Sequence, residues 1–238
     1  TALDFLVEEV NQQVIKIASG AANNFEFLRR VRKKKKPVLI SFGFQEDYEV
    51  IKAIDVLTSA GASDIVALHC VSLYPTPYEY TNLKRIEHLK KMLEIPVGIS
   101  DHSVGWHIPV AALSLGVCVI EKHLTFDKSD PRSLDNPGAL LPDEFRIFVQ
   151  QVRDVENGLS PISEAEYSQI MEAPRKSLGQ GLVAAEDLPV GTVLSNDLIA
   201  CKRPLLDGLP ADVLPKIIGR KTKNAIKEDE QISWEILE

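Results

Sequence analysis

The stretch Val97–His123, VGISDHSVGWHIPVAALSLGVCVIEKH, decides the fold. It holds two short apolar runs, Val97–Ile99 and Val117–Ile120, with a small-residue segment of helical character between them. Apolar runs that turn polar only at their C-terminal ends are typical of buried parallel strands. A strand, a helix and a return strand form a βαβ unit, whose two strands lie parallel and are usually adjacent. The stretch therefore predicts neighbouring strands that end at the same edge of a sheet.

A histidine follows each of these two predicted strands. The first run leads into Asp101 and His102, and the second leads into Glu121 and His123. Because parallel α/β folds carry their chemistry at the carboxyl ends of the strands, the two imidazoles should converge there. Two imidazoles beside carboxylates suit a divalent cation that keeps open coordination positions. The alternative is a pair of polar strand ends at which one histidine only caps a loop.

The alternation of strand and helix extends over the first 157 residues. Strands are predicted at Val14–Ser19, Pro37–Gly43, Asp64–Cys70, Val97–Ser100 and Val117–His123. Helices are predicted at Asn24–Arg32, Glu46–Ala60 (ended by Gly61), Asn82–Leu93, Ile108–Leu115 and Leu140–Asn157. Units of about 25 residues in this order indicate a parallel α/β fold. A closed (β/α)8 barrel needs eight such units, so three would precede Thr1; an open five-stranded sheet is the alternative.

The composition is that of a soluble globular protein. Of the 238 residues, 45% are hydrophobic and 26% are charged, which are ordinary fractions for this class. No apolar run approaches the length of a membrane span, and no signal peptide is evident. The net charge of −7 argues against a general nucleic-acid binder.

The three cysteines bear on the cellular compartment. Cys70, Cys118 and Cys201 are an odd number with no close spacing, so no disulfide framework is indicated. Cys70 and Cys118 stand in apolar strand runs, which predicts buried thiols. Free thiols are typical of a reducing cytosol, and we therefore expect a cytoplasmic protein.

The strongest charge run is Arg29–Lys36, RRVRKKKK. Such a run could form a nucleic-acid or targeting patch. It falls at the end of a predicted helix, where cations complement the helix dipole and remain solvated. We favour this second interpretation, a solvated helix end.

The pattern changes after residue 157. Residues 158–174 lose helical periodicity and are predicted to be a linker. Residues 175–238 then form a second, β-rich domain with short strands and turns. Its short strands are predicted at Leu178–Ala184, Thr192–Leu194 and Leu198–Lys202. Short helices are predicted at Asn196–Leu198 and Ala211–Ile217. A domain of this size is marginal alone and is expected to need a packed partner surface.

Polar residues also mark the ends of the earlier predicted strands. Lys16 lies within an apolar strand, where a lysine is rarely buried unless it meets an anion. Ser19 and Ser41 stand beside glycines at strand ends, which lets backbone N–H groups approach a phosphate. Ser72 and Tyr74, in a proline-containing loop, can reach a polyol. Together these residues indicate a phosphorylated or carboxylated small substrate and a sugar.

Three segments resemble the sialic acid synthase family in order and spacing. They are LHCVSLYPTPYEYTNLKRI (68–86), PVGISDHSVG (96–105) and VIEKHLTFDK (119–128). The segment KSLGQGLVAAEDLPVGTVLSNDLIACKRP (176–204) resembles that family's C-terminal antifreeze-like (SAF) domain. The resemblance implies a (β/α)8 TIM barrel, here without its first three βα units, followed by an SAF domain.

The resemblance also implies a reaction and a metal. The family condenses phosphoenolpyruvate with N-acetylmannosamine or a related hexosamine, giving a nine-carbon 2-keto acid and phosphate. By its pattern, His102 and His123 hold Mn2+, with Mg2+ or Co2+ as alternatives. Glu121 and Asp101 are candidates for steering water or a metal-bound ligand, and a purely structural role is an equal alternative.

The remaining site residues follow from the same resemblance. Positions that match phosphoenolpyruvate contacts are Lys16, Ser19, Ser41 and Ser100, and also Ser72, where some members have asparagine. Tyr74 and Asp135 match positions near the acceptor sugar, although residues 129–137 carry an apparent one-residue insertion relative to the family. Arg203 matches an arginine that enters the partner subunit's active site in a domain-swapped homodimer.

Two other classes of function stay open. One is a non-catalytic carbohydrate-binding remnant of a synthase, which would bind sugar without releasing phosphate. The other is a different phosphoenolpyruvate-condensing enzyme that makes a shorter 3-deoxy-2-keto acid. The predicted C-terminal domain argues against this second class, because those enzymes typically lack it.

Overall fold

The chain folds into two compact units, Thr1–Ser160 and Pro161–Glu238. The computed structural model describes residues 1–59 and 64–238. The predicted end of the second helix at Ala60, and its stop at Gly61, lie outside the described residues. Each unit has a hydrophobic core of its own, as expected for separate domains.

The first unit is built on a sheet of five parallel strands in sequential order. The strands are β1 (Ile15–Ile17), β2 (Val38–Phe42), β3 (Ile65–Cys70), β4 (Val97–Asp101) and β5 (Ile120–Lys122). Each connection between strands therefore leads to the adjacent strand, always in the same direction across the sheet. Because such connections are right-handed, all the helices lie on one face of the sheet. A doubly wound sheet, whose order reverses at a switch point, is excluded for these strands.

The sheet is curled. The ammonium of Lys16, on β1, lies 3.3 Å from Oε1 of Glu121, on β5. Neighbouring strands are spaced by about 4.8 Å, so a flat sheet would hold these two strands about 19 Å apart. That gap is wider than a lysine and a glutamate can span. The five strands therefore form part of a barrel wall, with Lys16 and Glu121 on its inner side.

Helices cover the outer side of the curled sheet. They are α1 (Ala2–Asp4, continued by a wider turn at Phe5–Glu9), α2 (Phe25–Lys33), α3 (Asp47–Thr58), α4 (Lys84–Leu93), α5 (His107–Ala112, continued by Leu113–Leu115) and α6 (Pro142–Leu159). The Asn24 side chain caps α2 by accepting from the Phe27 N–H, and Leu28 and Val31 are its buried face. Across the described ranges, no helix has both the length and the apolar character needed to cross a membrane.

The basic run is only partly the solvated helix end that we predicted. Lys34 lies 2.6 Å from Asp4 and 2.5 Å from Glu8, so it ties α2 to the N-terminal helical segment. Arg32 donates to the Ser59 hydroxyl over 2.7 Å and so ties α2 to the end of α3. Lys33 is exposed, as expected. Two residues of the run therefore make specific contacts with neighbouring helices, which the favourable placement of cations at a helix end did not predict.

The burial of the cysteines differs from the prediction at one position. All three are free thiols, and Cys70 is buried as expected. Cys118 is exposed, so the prediction of a second buried thiol was wrong. It precedes β5, which is an outer strand of the described sheet, and an outer strand has only one neighbour to cover it.

The second unit begins with helices where the sequence predicted an irregular linker. The helices α7 (Glu164–Ile170) and α8 (Glu172–Leu178) occupy this stretch, and the Ser163 hydroxyl caps α7. An antiparallel pair follows, β6 (Gly181–Ala184) with β7 (Ile199–Lys202), and α9 spans Leu214–Ile217. The strand predicted at 192–194 is a single bridge from Val193.

Candidate functional site

A cleft of about 410 Å³ opens at the carboxyl ends of the five strands. Its walls are formed by Lys16, Ala18, Ser19, Ser41, Cys70, Tyr74, Ser100, His102, Glu121, Lys122, His123 and Asp135. Nine of these residues are ones that the sequence singled out. Ala18, Cys70 and Lys122 are the additions. Cys70 had a signal in the sequence, because it ends a predicted strand just as the polar wall residues do.

The two histidines lie side by side in this cleft. Their ring centroids are 5.1 Å apart. Nδ1 of His102 lies 2.9 Å from the Val71 carbonyl oxygen, and because a carbonyl only accepts, Nδ1 carries the proton. The lone pair of His102 is then on Nε2. Nδ1 of His123 lies 3.5 Å from a carboxylate oxygen of Asp135, so that carboxylate is a neighbour of the ring at a longer distance.

The surroundings favour a neutral imidazole at His102. Burial lowers the pKa of His102, and the nearby His123 lowers it further, against the opposing effect of the hydrogen bond to Val71. The Tyr74 ring packs on His102 with centroids 4.2 Å apart, and its edge faces His123 at 6.2 Å. A neutral, packed imidazole is the form that binds a metal ion.

The donor set fits a cation held by two nitrogens. In the part of the chain that the structure describes, no group of three or more His, Cys, Asp and Glu side chains gathers around a common point. His102 and His123 alone could supply the protein ligands, and the other positions would be left for water and substrate oxygens. Two imidazole nitrogens with oxygen ligands from outside the chain can hold a divalent transition-metal ion.

Beside the histidines, the wall offers a cation and hydroxyl groups. Lys16 faces Glu121, and the Ser100 hydroxyl donates to Glu121 over 2.7 Å. The Ser41 hydroxyl is buried and, among the described residues, has no hydrogen-bond partner. Because buried polar groups are almost always paired, Ser41 is placed to bind a group that comes from outside the chain. An anion is the ligand that a lysine and serine hydroxyls would accept.

The structure does not support a direct role for Asp101 in steering water. Side chains alternate along a strand, and Ser100 faces the cleft, so Asp101 turns to the other face of β4. Its carboxylate accepts from Ser103 and Lys122 instead. Lys122 touches the cleft wall, but its side chain is fully buried and burial lowers its pKa. The structural alternative is therefore the one that fits Asp101.

Two further predicted residues lie outside the cleft wall. Ser72 stands beside it, where its N–H donates to the Gly43 carbonyl over 3.1 Å. A side chain at Gly43 would collide with Ser72, because an added Cβ would lie 2.1 Å from the Ser72 hydroxyl. Arg203 is an exposed residue of the second unit. Its predicted role across a subunit interface stays a prediction.

Comparison with known families agrees with this site. Residues 1–163 match the NeuB family, and residues 179–238 match the SAF domain. The chain belongs to the NeuB family. Its predicted resemblance to sialic acid synthases, with a C-terminal SAF domain, is therefore confirmed.

The relatives of this NeuB-family chain include named synthases. It is 35% identical over 235 residues to the N,N'-diacetyllegionaminic acid synthase of Campylobacter jejuni, covering 95% of this chain and 68% of that protein. It is 34% identical over 239 residues to the human N-acetylneuraminate-9-phosphate synthase, covering 100% of this chain and 65% of that protein. The chain thus spans about two thirds of the length of each.

A solved structure has the same architecture. The spore coat polysaccharide biosynthesis protein of Bacillus subtilis is 30% identical to this NeuB-family chain and superposes with a TM-score of 0.61. The match covers 98% of this chain and 70% of that protein. Both units therefore have counterparts in one experimentally determined chain.

Proposed function

We propose that this NeuB-family chain condenses phosphoenolpyruvate with N-acetylmannosamine or a related hexosamine. The products are a nine-carbon 2-keto sugar acid and inorganic phosphate. The observation that carries the proposal is a single cleft in which Lys16 and the unpaired hydroxyl of Ser41 face the paired imidazoles of His102 and His123. The names of the relatives, which make related sugar acids, support this substrate class.

The active form proposed here is a closed (β/α)8 barrel, of which the described sheet supplies five strands. It is a cytoplasmic, domain-swapped homodimer in which Arg203 enters the partner's active site. The exposure of Arg203 is compatible with a contact of that kind. A planar guanidinium suits the hydroxyl and amide oxygens of a sugar.

The residues divide the work by their chemistry. When bound at His102 and His123, a Mn2+, Mg2+ or Co2+ ion supplies Lewis-acid polarisation of the acceptor aldehyde. The enol carbon of phosphoenolpyruvate forms the new bond to the aldehyde carbon, water adds to C2, and the bond from C2 to the phosphate oxygen breaks. Lys16 neutralises the anionic groups of phosphoenolpyruvate. The hydroxyl-bearing residues that orient them are Ser19, Ser41 and Ser100.

Two further wall residues bind and orient in this proposal. Tyr74 and Asp135 lie next to the histidines, on the side where the acceptor sugar would bind. Glu121 accepts one hydrogen bond from Ser100 and faces Lys16, so it can hold a water molecule near the reacting carbon or keep the lysine in place. Ser72, which stands beside the wall, is the remaining residue proposed to contact phosphoenolpyruvate.

The test is phosphate release from phosphoenolpyruvate with N-acetylmannosamine and Mn2+, with the product identified by mass spectrometry. We expect a nine-carbon 2-keto acid whose formation depends on both substrates. Lys16→Met should abolish turnover while sugar binding persists. Sugar binding without phosphate release by the unaltered protein would instead indicate a carbohydrate-binding remnant. Release of phosphate with a shorter aldose would indicate another class of 3-deoxy-2-keto acid synthase.

The role of Arg203 has a separate test by complementation. Arg203→Ala and His123→Ala should each be nearly inactive as homodimers. After mixing and re-equilibration, one site of each heterodimer has both residues intact, so activity should partly return. Heterodimers that form by native mass spectrometry but stay inactive would refute action across the interface.

A further inference from the structure

A buried ion pair joins β4 and β5 at the ends of the two strands. Nζ of Lys122 lies 2.6 Å from Oδ2 of Asp101, and the two side chains are 0% and 4% exposed. The two residues are direct register partners in the sheet. Each is the last residue of its strand, so the pair clamps the ends of β4 and β5 together.

Ser103 closes this pair into a three-residue network. Its hydroxyl donates to Oδ2 of Asp101 over 2.9 Å, and its N–H donates to Oδ1 over 3.2 Å. The ammonium of Lys122 also donates to the Ser103 carbonyl oxygen. Both carboxylate oxygens are thus satisfied, and Ser103 is itself fully buried. The network has the completeness that a buried charge requires.

The network surrounds the backbone that carries the histidines. Asp101 and Ser103 flank His102 on its two sides, and Lys122 directly precedes His123. The Thr76 N–H holds the carbonyl of His102 from a third direction, over 3.0 Å. The residues on both sides of His102 are therefore bonded to Lys122, the residue before His123.

Fold stability alone gives little reason for charges here. A buried ion pair is often no more stabilising than apolar side chains of the same volume, because both charges lose their hydration. A buried ion pair has a clearer role where it fixes the geometry of neighbouring residues, as at a metal site. The position of this pair, one residue before each histidine, meets that condition.

We propose that Asp101, Ser103 and Lys122 are positioning residues that set the spacing of His102 and His123. They act through the backbone and touch neither substrate nor cation. The inference rests on the proposed function in one respect, namely that the two imidazoles share a divalent cation.

The test removes the charges together. Asp101→Asn with Lys122→Met replaces the ion pair by neutral side chains of similar size, so no uncompensated charge remains buried. Lys90→Met is the matched control. Lys90 also donates to two backbone carbonyls, but these belong to Leu115 and Gly116, which precede β5 and are adjacent in sequence to neither histidine. The readouts are Mn2+ affinity by titration calorimetry without substrates, the thermal melting curve, and the crystal structure of each variant.

We expect the double variant to melt near the unaltered protein, to bind Mn2+ about 10- to 100-fold more weakly, and to change the separation of the histidine rings. The control should keep both its Mn2+ affinity and its ring separation. If the double variant fails to fold, Ser103→Ala gives a milder version, because it removes one hydrogen bond and leaves the charges paired. In that variant we expect weaker Mn2+ binding and an altered ring separation again, both reduced in size.

The inference is overturned if the rings stay 5.1 Å apart in the folded variant, since the spacing would then not depend on the network. Unchanged Mn2+ affinity in the double variant would overturn it equally. An unaltered protein that binds no Mn2+ would refute the proposed metal site alone. In that case the ring separation still decides the positioning role, so the two failures are distinguishable.

Discussion

Two successive pairs of residues on β4 and β5 show opposite uses of polar side chains. Ser100 faces Glu121 on the cleft side, and Asp101 faces Lys122 on the other side, each pair in direct register. The Glu121 side chain is 35% exposed, whereas that of Lys122 is fully buried. The cleft side keeps its polar groups accessible to a ligand, whereas the other side uses its polar groups to hold backbone. One step along a strand therefore separates accessible polar groups from a buried ion pair.

The largest effect is expected on the cleft side, at the histidines. His102→Ala and His123→Ala should each weaken Mn2+ binding and slow turnover by more than about 100-fold, since losing a ligand costs more than losing a residue that supports one. Calorimetry and the phosphate-release assay measure the two effects. His88→Ala is the control, because His88 is exposed and bonded to Asp47 on the helical side. Full Mn2+ affinity in both cleft variants would contradict the metal site.

The next effect lies on the buried side, at Ser103. Ser103→Ala should lower the free energy of unfolding by about 1.5–3 kcal/mol, because it removes a hydrogen bond to a buried carboxylate. Denaturant titration measures this change. An unchanged midpoint would mean that Asp101 finds another donor and that the network is looser than its distances indicate.

The counterpart on the cleft side is Ser41. Its hydroxyl has no partner within the described ranges, so Ser41→Ala should leave the free energy of unfolding unchanged or raise it slightly. The KM for phosphoenolpyruvate should rise about tenfold, the value of one hydrogen bond to a charged ligand. A variant that loses stability and keeps its KM would reverse the comparison, because Ser41 would then serve the fold.

The smallest expected effect concerns acid pH and His69. His69 is 2% exposed, its Nε2 lies 2.7 Å from the Thr81 carbonyl oxygen, and burial lowers its pKa. The unfolded chain takes up a proton at about pH 6.5 while the folded chain does not, so stability falls as the pH drops below that value. Each histidine of this kind contributes at most about 1.4 kcal/mol per pH unit.

Unfolding curves at pH 7.5, 6.0 and 5.0 measure this dependence. His69→Gln should flatten it, because glutamine can still donate to Thr81 and has no proton to gain. An equal slope in the His69 variant would show that other groups cause the loss of stability in acid.

Much of the first unit could be predicted from the pattern of its sequence. Apolar runs predict all five strands, and polar residues within or after them supply eight members of the cleft wall. The ninth, Asp135, follows only from the family resemblance. The face that each residue takes was harder to assign. Asp101 was grouped with the histidines because it stands beside them in the chain, although strict alternation from Ser100 turns it away. Nothing in the sequence singles out Lys122, because its pairing with Asp101 is set by the register of β4 and β5.

Other features depend on what the rest of the molecule places nearby. Cys118 has the neighbours of a buried residue in the sequence, but its exposure depends on how many strands flank β5. The helix α7 is short, and a Ser163 cap stabilises it where hydrophobic periodicity gives no signal. The contact between Lys16 and Glu121 needs the curl of the whole sheet, which no local pattern encodes.

The sequential strand order also bears on how the first unit folds. Each strand pairs with the one that follows it in the chain. The loop that closes when two strands pair therefore contains only the single connection between them. Loops of that length cost only slightly more entropy to close than shorter ones. The sheet can therefore grow one βα unit at a time from any pair that forms first. The cleft is different, because its Lys16–Glu121 contact joins β1 to β5 and can form only when all five of these strands have paired.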